Sequence, residues 1–541
     1  MSNWGNAYIK LELSGASGDA PEPTFVHETG AIPLNARILI VCSEAVPLVK
    51  TGGLADVITS LARTLRRRGI DATVMMPGYP AALEQARNLE EAGLLADLPG
   101  GPGRLLHGMM PDQDIPVLLL RTAGFERRIS NPYVDERGEE FPDNASCFGA
   151  LAHAAVAVCR GQTSLAPPHV VHANDWHAGL IPALLRLHRV ADVGTLFTIH
   201  NLAFQGNFPV DCAAGLGIPQ QMLGPDGMEF WGKLSFLKAG IRYADRISTV
   251  SDTYAAEILT PRFGHGMDGL LNERRNALLA IRNGVDTEAW NPAGDALIAR
   301  SFTLSDLRGK SSCKRELQTL FELPPDPFAP ILAMGSRITH QKMADVALAS
   351  LPAVLQRYPR AQLIVLGRGD RTYEQDFVRL AQDFPERAAV HIGYDEMRAH
   401  ALHAGADMLL HGSRFEPFGL TPLYSMHYGT IPIASRVGGI VDTVVDAGLS
   451  GLPPQDASGI LFDGEAADGM TAAVSRAFAL YENPAEWHPM QCNAMSADFS
   501  WSQPAEKYIA AYRDIAAHAV KELFVAQPEA PETDLPEYKT A

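Results

Sequence analysis

Short apolar runs and amphipathic stretches alternate along most of the chain. Residues 36–42 form a largely apolar run, which is typical of a strand buried on both faces. In residues 54–68 the apolar positions recur every three or four residues, as on one face of a helix. Residues 72–76 predict a second buried strand. This strand–helix–strand order predicts a parallel sheet that is covered by helices.

The alternation continues in two successive series of elements. The first series adds strands at 117–120, 170–173, 195–200 and 247–250, with a helix at 150–159. The second series has strands at 331–335, 362–366, 389–392, 408–411, 431–434 and 460–462, and helices at 344–357, 375–382 and 470–481. Two α/β series of this length predict two doubly wound domains rather than one oversized sheet.

Breaks in this pattern predict the domain organisation. Residues 1–35 and 524–541 show little periodicity, and we expect both to be flexible tails. The expected domains are residues 36–282 and 283–498, followed by a helix at 499–523. The segment 283–326 is punctuated by Asn-Gly and Asn-Pro and predicts a hinge region.

Composition restricts the function classes. The 541 residues contain 45 Lys and Arg against 62 Asp and Glu, a net charge of −17, and 46% of them are hydrophobic. This balance is ordinary for a globular protein, and the negative charge argues against nucleic acid or an anionic membrane as the main partner. The longest apolar runs are far shorter than the ~20 residues that span a bilayer.

The cysteines and the first residues bear on the compartment. Six cysteines are widely scattered without a Cys-x-x-Cys, which indicates neither a disulfide framework nor a zinc ribbon. The first thirty residues contain four acidic groups and no apolar block, unlike a signal or transit peptide. We therefore expect the protein in a reducing cytoplasm.

The loop after the first predicted strand carries candidate phosphate-binding chemistry. Gly52 and Gly53 stand where a helix begins, so backbone N–H groups can approach an anion, and Lys50 adds a positive charge. The loop is neither a Walker loop nor Gly-x-Gly-x-x-Gly. Taken alone, its alternative interpretation is a tight turn beside a solvated lysine.

The complete string Lys-Thr-Gly-Gly-Leu-Ala-Asp-Val at 50–57 resembles the signature of bacterial glycogen synthases and plant starch synthases. Four further stretches resemble later motifs of that family in the same order, at 171–180, 197–206, 336–342 and 413–421. The resemblance spans residues 37–520 and implies the glycosyltransferase-B fold, in which two Rossmann-like domains face each other across a cleft. It also implies an acceptor-side first domain, a nucleotide-sugar-binding second domain and a last helix that crosses back to the first domain.

A nucleotide diphosphate-sugar brings phosphate charges into the cleft of an acidic protein, so fixed cations are needed there. The resemblance implies Lys50, Arg337 and Lys342 for this role, although Arg337 and Lys342 alone are more often surface charges. The other donor-binding residues that it implies are Asp56, Asn283, Gly393, Tyr394, Gly419, Leu420 and Thr421. The Tyr394 ring is expected against the nucleotide base, and the amides at 419–421 against a phosphate.

The catalytic residues that the resemblance implies are Lys50, Asp175, His200 and Glu416. Glu416 is expected to accept hydrogen bonds from sugar hydroxyls and to favour positive charge at the sugar ring; the alternative is a simple helix N-cap. His200 is expected near the 6-hydroxyl of the transferred glucose, and Asp175 near the acceptor. Their alternatives are a buried, hydrogen-bonded His and a capping Asp.

Three positions depart from the family pattern. Asn174 replaces a common His, Phe418 a common Cys, and Met343 a common Gly. The first two flank catalytic positions and are expected to tune donor or acceptor binding. His172 and His177 lie close enough along the chain to indicate a metal site, but the family needs no protein-bound metal. Neither a metal nor a cofactor is therefore expected.

The reaction that the resemblance implies is transfer of glucose from ADP-glucose to the non-reducing 4-hydroxyl of an α-1,4-glucan such as glycogen, with retention of the α anomer. Glycosidase-like retention needs a nucleophilic carboxylate paired with an acid, and no such pair stands at motif positions, which favours a front-face route. The residues leave three alternatives open. These are UDP-glucose or another nucleotide-sugar as the donor, a phosphorylase that carries pyridoxal phosphate, and a non-catalytic glucan-binding protein.

Overall fold

The computed structural model of the chain describes residues 36–111, 114–448 and 456–525, with side chains to residue 517. The predicted tail at 1–35 and residues 526–541 of the second predicted tail lie outside the described residues. The described residues belong to one compact unit. Among them, no helix is long and apolar enough to cross a membrane.

The elements alternate along the chain. The strands are β1 (Arg37–Val41), β2 (Asp71–Pro77), β3 (Arg87–Leu95), β4 (Gly103–Met109), β5 (Pro116–Arg121), β6 (Val170–Asn174), β7 (Gly194–Ile199), β8 (Asn207–Pro209), β9 (Glu229–Phe230), β10 (Lys233–Ser235), β11 (Arg246–Thr249), β12 (Leu278–Ala280), β13 (Ile331–Gly335), β14 (Gln362–Gly367), β15 (Ala388–Ile392), β16 (Met408–His411), β17 (Ile431–Ser435) and β18 (Ile460–Phe462). The helices are α1 (Gly53–Arg67), α2 (Pro80–Gln85), α3 (Ala123–Glu126), α4 (Asn144–Cys159), α5 (Asp175–Ala178), α6 (Leu180–Leu187), α7 (Cys212–Gly215), α8 (Phe236–Tyr243), α9 (Asp252–Glu257), α10 (Asp268–Glu273), α11 (Arg308–Leu320), α12 (Ala344–Arg357), α13 (Arg371–Asp383), α14 (Glu396–Gly405), α15 (Leu420–His427), α16 (Gly438–Thr443), α17 (Ala467–Tyr481), α18 (Pro484–Ser496) and α19 (Ser502–Val525).

Two large sheets form the framework. The first has the strand order β12-β11-β7-β6-β1-β2-β5-β4-β3, in which only β4 runs antiparallel to its neighbours. The second has the order β15-β14-β13-β16-β17-β18 and is parallel throughout. In each sheet the chain starts at a central strand, builds to one side and then crosses to the other. This order is that of doubly wound Rossmann-like folds, which confirms the predicted fold class.

The two sheets define two parts of the molecule. Residues 37–280, which carry the first sheet, are called the first lobe, and residues 308–496, which carry the second, are called the second lobe. A small antiparallel sheet, with the order β8-β10-β9, is attached to the first lobe. Each large sheet has its own apolar core.

The last helix packs on the first lobe although it follows the second. Tyr508, Tyr512 and Ile515 of α19 are buried in the core of the first lobe. The Tyr512 hydroxyl lies 2.9 Å from Nδ1 of His172 on β6, and Nε2 of that ring lies 2.6 Å from the Thr198 hydroxyl on β7. Because buried polar groups need partners, this network ties α19 to two strands of the first sheet.

The predicted strands are present, each within one residue of its expected bounds. The sequence does not predict the hairpin of β3 and β4, because β3 is mostly exposed and its charged and apolar residues show no strand-like alternation. The helix that follows the Glu416 motif, α15, begins at Leu420. The expected hinge segment 283–326 contains a helix, α11.

Candidate active site

The predicted motif loops lie at the carboxyl ends of central strands in both sheets. In the first lobe they follow β1, β6 and β7, and in the second they follow β13 and β16. β1 lies next to β6, and β13 lies next to β16. Between the two strands of each pair, the direction in which the chain adds strands to the sheet reverses. Ligands of doubly wound folds bind in the crevice at this point. Loops of the two lobes contact each other here and line one cleft.

Glu416 is the centre of a buried polar cluster in the second lobe. Its Oε2 accepts a hydrogen bond from the Ser413 hydroxyl over 2.8 Å, lies 2.9 Å from Nε2 of His411 and forms an ion pair with Lys342. Burial raises the pKa of Glu416, but the charge of Lys342 and the hydrogen bond from His411 outweigh it and hold the pKa below its usual range. Glu416 is therefore an anion at neutral pH. Among the described residues, no hydrogen bond reaches its Oε1.

His411 is a site residue that sequence reasoning missed. It ends β16, is buried, and its Nε2 lies 3.4 Å from the Lys342 amine. Burial lowers the pKa of His411, and the charge of Lys342 lowers it further. The ring is therefore a neutral hydrogen-bonding partner of Glu416. The available signal was a polar residue at the end of an apolar strand, just before the loop of Glu416.

Two glycines press against the backbone of Glu416. A Cβ on Gly438 would lie 1.8 Å from the Glu416 carbonyl oxygen, and the φ of Gly438 is +47°. The Gly439 N–H donates to the same oxygen over 3.1 Å. Because only glycine permits such an approach, Gly438 and Gly439 fix the peptide that carries Glu416.

Two helix N-termini meet across the cleft. α15 begins at Leu420 after Gly419, which has a φ of +89°, and no side chain caps this end. α1 begins at Gly53 after Gly52, also without a side-chain cap. A Cβ on Gly53 would lie 3.0 Å from Cδ1 of Leu420, so the two ends are adjacent. Glu416 is therefore not the N-cap of α15, and the uncapped N–H groups and helix dipoles favour an anion between the lobes.

Lys50 connects the first lobe to the second. Its Nζ lies 3.1 Å from Oδ1 of Asp56, 3.6 Å from Oε2 of Glu396 and 5.5 Å from the ring centroid of Tyr394. The Tyr394 side chain is 64% exposed, follows Gly393 with its φ of +149°, and bonds through its hydroxyl to Glu396. The structure thus brings together four predicted residues and adds Glu396, which sequence reasoning missed.

Glu44 holds the glycine loop of the first lobe. Its Oε2 accepts hydrogen bonds from the backbone N–H and the hydroxyl of Thr51, both over 2.6 Å. Burial raises the pKa of Glu44 to about 7, although these hydrogen bonds oppose the shift. Glu44 therefore orders the loop that carries Lys50.

Arg337 and Asn283 are two further residues that the sequence predicts on the donor side. The guanidinium of Arg337 stands 5.8 Å from the ring centroid of Phe204 in the first lobe and donates to Oε1 of Gln341 over 3.0 Å. In the described part of the chain, no carboxylate pairs with Arg337. Asn283 is buried, and its Oδ1 has no hydrogen-bond partner among the described residues. An orphaned buried oxygen is costly, and a bound ligand that donates a hydrogen bond removes the cost.

Asn174 explains the orientation of His200. Its Nδ2 donates to the carbonyls of Val41 and His172, and its Oδ1 lies 2.9 Å from Nε2 of His200. Because the amide nitrogen is engaged, the amide oxygen accepts from Nε2–H and leaves Nδ1 of the ring as an acceptor. Burial lowers the pKa of His200 to about 3, so the ring is neutral. The Asn174 departure thus positions a predicted catalytic residue.

Asp175 orders the loop after β7. Its Oδ1 accepts hydrogen bonds from the backbone N–H groups of His200, over 2.7 Å, and Asn201, over 3.3 Å. Burial raises the pKa of Asp175 to about 7, against the effect of these bonds. Its φ of +55° is rare for a residue with a side chain, and such strained positions cluster at functional sites. Asp175 and His200 therefore form one unit.

The other two departures pack beneath the loop of Glu416. Met343 has a φ of +54°, a conformation that glycine adopts without strain and that explains the common Gly here. Its sulfur accepts from the Ser435 hydroxyl over 3.4 Å. Phe418 is buried, and a Cβ on Gly439 would lie 2.5 Å from its Cα. Both departures therefore act on packing and leave the charged groups in place.

The segment that begins α9 ties the cleft loops of the two lobes together. The Ser251 hydroxyl donates to the carbonyl of Pro417, which adjoins Glu416, over 2.7 Å. The Tyr254 hydroxyl accepts from the N–H of Leu202, in the loop of His200, over 3.0 Å. Sequence reasoning missed Ser251, because it lies 166 residues from its partner in the other lobe.

The two histidines that pointed to a metal have other neighbours. His172 belongs to the network of α19, and the ring of His177 lies 4.0 Å from that of Trp176 and 4.8 Å from that of Tyr133. Within the described ranges, no group of three His, Cys, Asp or Glu side chains is placed to hold a metal ion.

Comparisons with known proteins identify the family of the chain. Residues 37–273 match the family model of the starch synthase catalytic domain, and residues 320–489 match that of glycosyl transferases group 1. A glycogen synthase of Ralstonia nicotianae is 52% identical over 486 residues, which cover 90% of this chain and 89% of that protein. A glycogen synthase of Bordetella petrii is 49% identical over 474 residues, or 87% and 91% of the two chains.

A solved structure supports the same family. The catalytic domain of starch synthase IV from Arabidopsis thaliana, bound to ADP and acarbose, matches with a TM-score of 0.80 and 26% identity over 89% of this chain and 99% of that one. The molecule has two Rossmann-like sheets, and the loops at the carboxyl ends of their central strands meet in one cleft. This architecture defines a glycosyltransferase of the B-fold class. The chain belongs to the family of bacterial glycogen synthases and plant starch synthases, and it is a glucosyltransferase.

Proposed function

We propose that the protein transfers glucose from ADP-glucose to the non-reducing 4-hydroxyl of an α-1,4-glucan and releases ADP, with retention of the α anomer. The observation that carries this proposal is the convergence of Lys50, Lys342 and the N-termini of α1 and α15 beside the buried anion of Glu416. Cations and helix N-termini favour a diphosphate, and a carboxylate favours a sugar ring that gains positive charge. The relatives named glycogen synthase and the ADP bound to the starch synthase support these substrates.

The donor occupies the second-lobe side of the cleft. Its diphosphate receives hydrogen bonds from the uncapped N–H groups at 419–421 and faces Lys342 and Arg337. Asn283 offers its unpartnered amide oxygen as a hydrogen-bond acceptor for the donor. Tyr394 offers an exposed ring against which the base stacks. Lys50 reaches the same region from the first lobe, so donor binding and contact between the lobes are coupled.

Transfer proceeds on one face of the sugar. The bond between C1 of glucose and the phosphate oxygen breaks while a bond forms from C1 to O4 of the acceptor, and the acceptor proton passes to an oxygen of the departing ADP. The ionised Glu416 stabilises positive charge on the ring. Lys342 and the N-terminus of α15 stabilise the charge that grows on ADP.

His200 and Asp175 position the sugar and the acceptor. Because its pKa is about 3, His200 is neutral at pH 7 and presents Nδ1 as an acceptor for a glucose hydroxyl. Asp175 fixes the backbone of the same loop, and we assign it to the acceptor side. Neither residue needs to form a covalent intermediate.

Contact between the lobes protects the donor. The N–H of Thr253 donates to Asp442, and the N–H of Gly438 donates to Glu257, both over 3.0 Å and both between lobes. A closed cleft excludes water, which would otherwise hydrolyse the donor. We assign the opening motion to the segment 283–326.

The remaining expectations extend this proposal. Residues 36–282 form the acceptor-side domain, residues 283–498 form the donor-side domain, and the helix at 499–523 returns to the first.

All six cysteines are free thiols, which supports a reducing cytoplasm. The net charge of −17 disfavours nucleic acid and anionic membranes but is compatible with a neutral glucan.

Donor preference tests the proposal. Glycogen is incubated with ADP-glucose or with UDP-glucose, and release of the nucleoside diphosphate is followed. We expect kcat/KM to be at least roughly tenfold higher with ADP-glucose, because adenine presents a larger face than uracil to the exposed Tyr394 ring. A preference for UDP-glucose would contradict the adenine assignment, and no release from either donor would contradict glucosyl transfer.

A further inference from the structure

An exposed tryptophan stands at the tip of the small sheet of the first lobe. β9 and β10 pair with Phe230 opposite Lys233, so Trp231 and Gly232 form a two-residue hairpin turn. Their φ values are +51° and +75°, as in the type I′ turn that Asn-Gly usually forms. Trp231 is 82% exposed. The chain therefore places its bulkiest side chain where the backbone favours a small one.

Folding alone does not account for this choice. A bulky residue in the left-handed region is a conformational outlier, and an indole left in water gains nothing from the hydrophobic effect. Strained residues of this kind mark functional positions when the surroundings hold them in place. Here a Cβ on Gly266 would lie 3.2 Å from Nε1 of Trp231, and the Phe230 ring lies 6.1 Å from that of Trp231.

A cavity of about 220 Å³ adjoins this turn. Its lining combines apolar side chains with charged ones of both signs: Phe230, Met267 and Leu270 with Asp226, Arg242 and Glu273. Phe230 and Gly266 also contact Trp231, so the cavity and the exposed indole form one surface. An aromatic face beside charged hydrogen-bonding groups suits a ligand that has both apolar faces and many hydroxyls.

The surface is continuous with the cleft. His265, with a φ of +47°, adjoins Gly266, and its ring lies 5.2 Å from that of Phe415 in the second lobe. Phe415 directly precedes Glu416. The carbonyl of His265 also accepts from Nε2 of Gln205, in the loop that follows His200. The backbone at 265–266 thus links the indole of Trp231 to the ring pair of His265 and Phe415, which adjoins Glu416.

We propose that Trp231 is a glucan-binding platform outside the cleft, on which a pyranose ring of the acceptor stacks several units away from the reacting end. The occupant is an α-1,4-glucan chain, and the proposal rests on the glucan acceptor proposed above. The indole contacts the apolar C–H face of the sugar, while the charged groups of the cavity bind hydroxyls. A long acceptor engages both the platform and the cleft, whereas a short one reaches only the cleft.

The Trp231→Asn variant tests this proposal, because Asn-Gly suits the type I′ turn and removes only the aromatic ring. We expect the KM for glycogen to rise roughly tenfold, since the polymer loses one of its two attachment points. The kcat with maltotriose and the KM for the donor should stay unchanged, and the Tm should not fall. Retardation in glycogen-containing native gels should weaken in parallel, and Trp231→Phe should restore part of it.

Phe328→Ala is the matched control, because Phe328 is 73% exposed but lies in the second lobe against Arg360. It should change neither the KM for glycogen nor the gel mobility. An unchanged KM and mobility in Trp231→Asn would overturn the platform proposal. Should the unmodified protein release no ADP with any acceptor, the proposed function fails, while the gel measurement still decides whether Trp231 binds glucan.

Discussion

Replacing Glu416 with glutamine is expected to lower kcat by about 10²–10³-fold. Glutamine keeps the size of the side chain and removes the negative charge that faces the sugar ring. Lys342 then loses its counter-ion, so its whole charge is available to a phosphate. We therefore expect the affinity for ADP to stay the same or to increase while kcat falls. Steady-state kinetics at saturating donor and glycogen, with ADP inhibition constants, measure both.

The control for this substitution is Asp376→Asn. Asp376 also pairs with a cation, Arg379, over 2.8 Å, but it lies in the middle of α13, outside the loops that line the cleft. It should leave kcat and ADP binding unchanged. A Glu416→Gln protein that folds like its parent and retains full kcat would refute the catalytic assignment of Glu416.

The Lys342→Gln variant is expected to lose about 10²-fold or more in kcat/KM for ADP-glucose. The Lys342 side chain is 11% exposed and lies beside the buried Glu416, where its charge is screened less than in bulk water. Without it, the negative charge that grows on the departing ADP loses a nearby cation. Initial rates over a range of donor concentrations, with ADP inhibition, separate the binding loss from the loss in kcat.

The same substitution should also change the pH dependence of the residual activity. Burial raises the pKa of Glu416, and the charge of Lys342 is the main effect that holds it below its usual range. Without Lys342, burial dominates and the pKa rises, so Glu416 takes up a proton at a higher pH and activity declines there as the pH falls. Arg337→Gln removes a cation that contacts Gln341 and Phe204 instead of Glu416. This variant should weaken ADP binding without the decline of activity at low pH. Identical pH profiles for the two variants would rule out the effect of Lys342 on the pKa of Glu416.

The parallel strands could be predicted because both of their faces are buried. β13, for example, appears in the sequence as an unbroken apolar run, and β14 as an apolar run after its first residue, Gln362. β3 and the short strands β8 to β10 could not, because their side chains are partly exposed or the strands span only two or three residues. Their pairing depends on neighbours rather than on a local pattern.

The residues of the candidate site also divide into those that the sequence predicts and those that it does not. Lys342 and Glu416 stand in motifs, so the sequence points to both, whereas their pairing depends on how β13 and β16 lie side by side. His411 and Glu396 could not be predicted, because a single polar residue outside a motif indicates no function until its partners are known. The conformation of Trp231 is equally invisible, since its hairpin is set by the pairing of β9 and β10.

Product analysis tests the central claim most directly. A maltooligosaccharide labelled at its reducing end is incubated with ADP-glucose, and chain length, linkage and ADP are measured in the same samples. We predict one glucose added at the non-reducing end for each ADP released, through an α-1,4 linkage. Release of ADP without chain growth, growth at the labelled end or a β linkage would contradict retaining glucosyl transfer in this cleft.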